Sequence, residues 1–178
     1  MMKKILGIFM LIAGIVIAVG ASSANFAYFE ASRDVHVNVV PDDLELIDLK
    51  PMQPYAYINS NGELVIKLNE HNLNYINGEE WFGKGVSPDS LYVFEEVFAV
   101  SNHLWEDTAI CVTISYSGDG GVSFFTGDYT GEGYDSLTFT VPHGDFVTVG
   151  MILNSTDMVD GDSINGDLEI TADAGACP

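Results

Sequence analysis

Hydrophobic and polar positions alternate with a period of two along most of the chain. Leu64, Ile66 and Leu68 share one face. So do Ile110, Val112, Ile114 and Tyr116, then Leu137, Phe139 and Val141, then Val147, Val149, Met151 and Leu153, and finally Leu168, Ile170 and Ala172. A period of two places alternate side chains on opposite faces of a half-buried strand. Turn chemistry separates the runs: Asn59-Ser60-Asn61-Gly62, Ser117-Gly118-Asp119-Gly120-Gly121, Thr130-Gly131-Glu132-Gly133, Pro142-His143-Gly144-Asp145 and Asn165-Gly166. About nine short strands at this spacing predict an all-β antiparallel sandwich, immunoglobulin-like in its strand spacing, as a single domain over 41–178.

Two stretches depart from the pattern. Ser87-Pro88-Asp89-Ser90 resembles a helix start, and Leu91, Phe94 and Phe98 have helical spacing. The Val, Phe and Tyr content of Leu91–Val100 favours a strand instead. Within that strand, Glu95 and Glu96 are expected on opposite faces, which would keep them from acting as an acid/base couple. Asn69–Ser90 is a long connection carrying Trp81 and Phe82: a functional loop, a cover folded over an open sheet edge, or a simple cap on the core.

The first 24 residues have another character. Lys3 and Lys4 precede an uncharged apolar run, Ile5–Val19, and small residues follow at Gly20-Ala21-Ser22-Ser23-Ala24. This is the layout of a signal peptide, and the run is shorter than the ~20 residues a membrane span needs. A retained anchor is the alternative, because no further charge occurs until Glu30. Either reading puts the body of the protein outside the cytoplasm.

Export changes what the cysteines mean. Cys111 and Cys177 are expected to form a disulfide, with two free thiols as the alternative. The bridge would close a loop of about 66 residues and add about 4 kcal/mol in the chain-entropy model. Cys111 falls on the face opposite Ile110, Val112 and Ile114, so the bridge would clamp the C-terminal tail across the less apolar face of its strand.

The segment after the signal, 25–40, reads as a strand of its own. Ala27, Phe29, Ala31, Val35, Val37 and Val39 make one apolar face, interrupted only by Arg33. The other face is polar from Glu30 to Asn38 but apolar at the tip, with Phe26 and Tyr28. Such a tip needs burial. It can be an edge strand of its own sandwich, or it can insert into a neighbouring subunit by strand addition. Head-to-tail donation does not close on itself and therefore builds a filament.

Charge narrows the partners. Acids number 26 against 6 Lys and Arg, a net charge of −20, and the two lysines of the signal segment do not belong to the body. Nucleic acid and anionic membrane surfaces are excluded as partners by that balance, leaving the N-terminal segment, if uncleaved, as the one membrane contact. The hydrophobic fraction of 47% separates the chain from acidic disordered proteins.

Candidate chemistry is sparse. His36, His71, His103 and His143 are scattered, no nucleophile elbow or phosphate loop occurs, and the chain reads as a non-enzyme. Two acidic, glycine-containing groups are candidates for Ca²⁺: Asp157, Asp160, Asp162 and Asp167 beside Asn165, and Asp128, Glu132 and Asp135. Solvated acidic turns are the plainer reading of both. No other cofactor is expected. Asn154-Ser155-Thr156 is a sequon for N-glycosylation at a strand end.

Ala24-Asn25-Phe26-Ala27-Tyr28-Phe29 resembles the start of TasA and camelysin-type secreted proteins. Asp34-Val35-His36-Val37-Asn38-Val39-Val40-Pro41-Asp42-Asp43, Tyr55-Ala56-Tyr57-Ile58-Asn59, Val100-Ser101-Asn102-His103-Leu104-Trp105, Val141-Pro142-His143-Gly144, Val147-Thr148-Val149-Gly150 and Gly166-Asp167-Leu168-Glu169-Ile170-Thr171-Ala172 are similar to an archaeal secreted family related to them. The resemblance implies a jelly-roll-like sandwich and, for filament-forming members, extracellular or bundling pili built from identical subunits by N-terminal strand donation. Phe26, Ala27, Tyr28 and Phe29 would then anchor the donated strand. Camelysin relatives are also labelled metallopeptidases, for which this chain offers no zinc motif. The remaining alternative is a non-polymerising surface module that binds Ca²⁺ or glycan through the acidic turns or the Trp81 loop.

Overall fold

The computed structural model describes residues 38–76 and 83–178. The signal segment, the residues Phe26, Ala27, Tyr28 and Phe29, and Trp81 and Phe82 lie outside the described residues. Val39–Pro178 forms one compact unit.

Nine strands and no helix make up the described residues: β1 (Leu49–Pro51), β2 (Ala56–Ile58), β3 (Leu64–Ile66), β4 (Leu91–Ser101), β5 (Ile110–Gly118), β6 (Val122–Thr126), β7 (Ser136–Val141), β8 (Phe146–Asn154) and β9 (Gly166–Ala174). All pairings are antiparallel. One sheet has the order β1-β4-β8-β6, the other β7-β5-β9, and β2-β3 is a separate hairpin. From β4 onward every connection carries the chain to the opposite sheet, so even strands build one layer and odd strands the other.

The core lies between the layers. Phe98 and Val100 of β4, Phe124 of β6 and Val149 and Met151 of β8 meet Ile110, Val112 and Ile114 of β5 and Val141 of β7. β5 follows the expected alternation, with Ile110, Val112 and Ile114 buried and Cys111, Thr113 and Ser115 on the outer face. β8 goes further and buries both faces over Val149–Leu153. Its outward Gly150 lies under the Phe125 ring, and Ile152 lies under Gly133 of the β6–β7 connection. Tyr134 of that connection exchanges two backbone hydrogen bonds with Phe124, holding the cover in place.

Leu91–Ser101 is a strand, and Ser87–Ser90 is a turn with Asp89 at φ 49°. Phe94 pairs with Met151 and Phe98 with Val149, so two extra residues bulge out of β4 between them. Glu96 adopts φ 51° in this bulge, and both Glu95 and Glu96 are exposed. A bulge resets the local pleat, which strand periodicity cannot register.

Candidate functional site

The two ends of the sandwich are each held by one buried polar side chain. Asn102 is fully buried where β4 ends. Its Nδ2 donates to Thr108 O at 2.9 Å and Val141 O at 3.2 Å, and its Oδ1 accepts from Leu104 N at 3.3 Å. Its backbone N donates to Asp145 O, and its carbonyl accepts from Gly144 N. The stretches Val100–Trp105 and Val141–Gly144 therefore meet at this one side chain. At the opposite end Ser155 Oγ donates to Ser87 O at 2.6 Å and accepts from Ser90 N at 3.0 Å, fixing the turn that enters β4. Each network satisfies buried groups that would otherwise cost about 1–3 kcal/mol apiece.

The Cys111–Cys177 disulfide is formed, with Cα atoms 4.7 Å apart. Gly175, at φ 110°, turns the chain after β9 and its N donates to Ala109 O. The tail then crosses the outer face of β5, and Cys177 N donates to Thr140 Oγ1 on β7 at 2.9 Å. The bridge is thus a clamp on the tail outside the core, as the parity of Cys111 predicts.

The acidic turns are largely turned upon themselves. Asp162 Oδ2 accepts from Val159 N, Asp119 Oδ2 accepts from Asn165 N, and Asp157 N is bound by Asp89 Oδ1. Asp119 and Asp162 line a shallow open depression with Met158 and Ile164. Nearby, burial pushes the Tyr116 phenol upward, and Asp119 and Asp167 add to the shift. Asp160 is exposed on the same connection, and Asp167 lies on the outer face of β9. In the second group Glu132 accepts from Tyr134 Oη, Asp135 O accepts from Tyr116 N, and Asp128 is exposed. Among the described residues no three His, Cys, Asp or Glu side chains gather as a metal-ligand set.

His103 Nε2 stands 3.4 Å from Asp48 Oδ2, while His71 and His143 are exposed in turns. Asn154 is exposed at the end of β8, and its Oδ1 accepts from Thr156 N at 3.0 Å and Thr156 Oγ1 at 2.6 Å. Asn102 and Ser155 escape sequence reasoning, because a polar residue at a strand end looks like any other turn residue.

The fold and its clamps define a class: an all-β two-layer sandwich with a disulfide-fastened tail, a bond that fits an oxidising environment. Residues 39–177 match the model of the family described as "Protein of unknown function (DUF1102)", and the chain belongs to that family. No curated protein matches it. Among the described residues no helix is long and apolar enough to cross a membrane.

Proposed function

We propose that this protein is an exported, non-enzymatic structural subunit that links to identical copies, head to tail, by donating its N-terminal strand, 25–40, into a pilus-like or matrix filament. The observation that carries this reading is the sequence of that strand. Phe26, Ala27, Tyr28 and Phe29 are apolar on both faces, a pattern suited to insertion between other strands and unsuited to solvent. The body downstream is an antiparallel sandwich, the kind of scaffold whose edges accept an added strand. The disulfide supports residence outside the cytoplasm, and residues 1–24 supply the export signal. The resemblance to TasA and camelysin-type proteins points the same way.

Electron microscopy of purified extracellular material, with N-terminal sequencing of the subunit, tests the reading. Fibres whose subunit begins near Asn25 are the expected result. Deleting Asn25–Ala31 should leave a folded monomer without fibres, and fibres persisting after the deletion would sink the proposal.

A further inference from the structure

The exposed strand edges differ as places for a donated strand. A free edge exposes backbone N–H and C=O groups, and proteins ordinarily blunt it with charge, proline, short length or cover. β1 is three residues long and ends in Pro51. The edge of β6 is closed by Tyr134. β7 shows Ser136 and Thr138 on its outer face, and β9 shows Asp167, Glu169 and Asp173. The first half of β4 differs from all of these.

β1 pairs only with Phe98–Val100, so on that side Leu91–Phe94 has no strand partner among the described residues. Hydrogen-bond parity shows which groups are free there. Asn154 N donates to Gly121 O on the β6 side, so the residue facing Asn154 across the ladder, Leu91, turns its own backbone groups away from β8. Val93, opposite Ile152, does the same two residues later. The edge is also apolar on both faces: Leu91 and Val93 are 59% and 37% exposed on the outer side. On the inner side the half-buried Tyr92 and Phe94 rings stack at 6.0 Å, and Tyr55 meets Phe94 edge-on at 5.0 Å.

We infer that the edge Leu91–Phe94 of β4 is the acceptor for the strand tip Phe26–Phe29 of a second copy of this chain. The inference rests on the strand-donation reading above. Its own support is the match of two surfaces. A tip apolar on both faces fits an edge apolar on both faces, whereas the β9 edge would set its acids against Glu30 and Asp34. The segment is available, since residues 25–37 still precede Asn38 once the export signal is removed. The bulge at Glu96 ends the open edge where β1 begins to pair, which limits the acceptor to the first half of β4.

Hydrogen exchange on the full chain tests the placement, with the Asn25–Ala31 deletion as the reference. In fibres the Leu91 and Val93 amides should exchange at least about 100-fold more slowly than in the deleted chain, while the outward Ile170 and Ala172 amides of β9 should not change. Val93→Pro removes an outward N–H and spares the β8 ladder, so it should yield folded monomer and no fibres; Ala172→Pro should still form fibres. If Val93→Pro does not fold, the surface pair Leu91→Glu with Val93→Glu replaces it, and wild-type fibre yield from that pair would overturn the inference. Fibres protected along β9 and blocked by Ala172→Pro would also overturn it, leaving strand donation intact. Leu91 and Val93 amides already protected in dilute full-length monomer would place the strand on its own chain and overturn it as well. A full chain that forms no fibres at all would overturn the strand-donation reading itself, and this inference with it.

Discussion

The ring of Phe125 occupies the space a side chain at Gly150 would need. Phe125 faces outward from β6, Gly150 faces outward from β8, and the two are register partners. Tyr129 packs against the Phe125 ring, with centroids 5.3 Å apart. Gly150→Ala should therefore cost about 1–3 kcal/mol through overpacking. Chemical denaturation should measure the loss, and the cost should shrink in a Phe125→Leu background, where the ring is absent.

Replacing both Cys111 and Cys177 by Ala should lower stability by about 2–4 kcal/mol, or about 5–15 °C in Tm, and leave the sandwich folded. The bridge lies on the outer face of β5 and closes a sequence separation of 66 residues, so its effect falls mainly on the unfolded chain. Thermal melts with and without reductant would check this. An unchanged Tm would show that the tail clamp contributes nothing.

Asn102→Ala should be among the most damaging polar substitutions, costing about 2–4 kcal/mol. It would strip partners from Thr108 O, Val141 O and Leu104 N at a fully buried position. Asn102→Asp should fail similarly, because a carboxylate cannot donate to two carbonyls. Denaturant midpoints for the two variants provide the measurement.

Stability should also respond to pH through Glu45. Partial burial first, then Asp42 and Asp48, hold its carboxyl above the usual range. A raised native-state value means the folded protein holds that proton more tightly than the unfolded chain. The favourable contribution is complete below the ordinary carboxylate range and disappears as pH rises through the raised value. Glu45→Gln should thus give a small rise in Tm at pH 7 that vanishes in acid. A rise of equal size at low pH would contradict the assignment.

Lateral association of such acidic bodies should depend on salt and divalent ions, because 26 acids repel across any shared surface. Light scattering of filaments over a range of NaCl and CaCl₂ would show it. Bundling indifferent to both would refute the expectation.

Much of this molecule is legible in its alternation. The faces of β5, the side of the sheet on which Cys111 stands and the strand character of Leu91–Ser101 follow from residue types two apart, because a strand's geometry is fixed by its own dihedrals and side chains. The turn residues mark where strands stop, as at Pro142–Asp145 and Asn165-Gly166. The candidate chemistry was less legible. The carboxylates of Asp119 and Asp162 hold the backbone of their own and neighbouring turns, and composition does not distinguish such a carboxylate from a ligand.

The sequence by itself determined that the chain is built of strands, which side chains share a face, and that the tail clamp falls outside the core. Only the tertiary structure decided that successive strands alternate between layers, that β8 is covered on both faces, and that β4 is closed along one half and open along the other. The half-open edge of β4 depends on pairings more than 50 positions apart, Leu91 with Asn154 and Leu49 with Val100, and the cover of β8 on nearer ones such as Phe125 with Gly150. Period-two patterning specifies a face but not a neighbour, because any apolar strand face can pack against any other until register, bulges and loop closure select one arrangement.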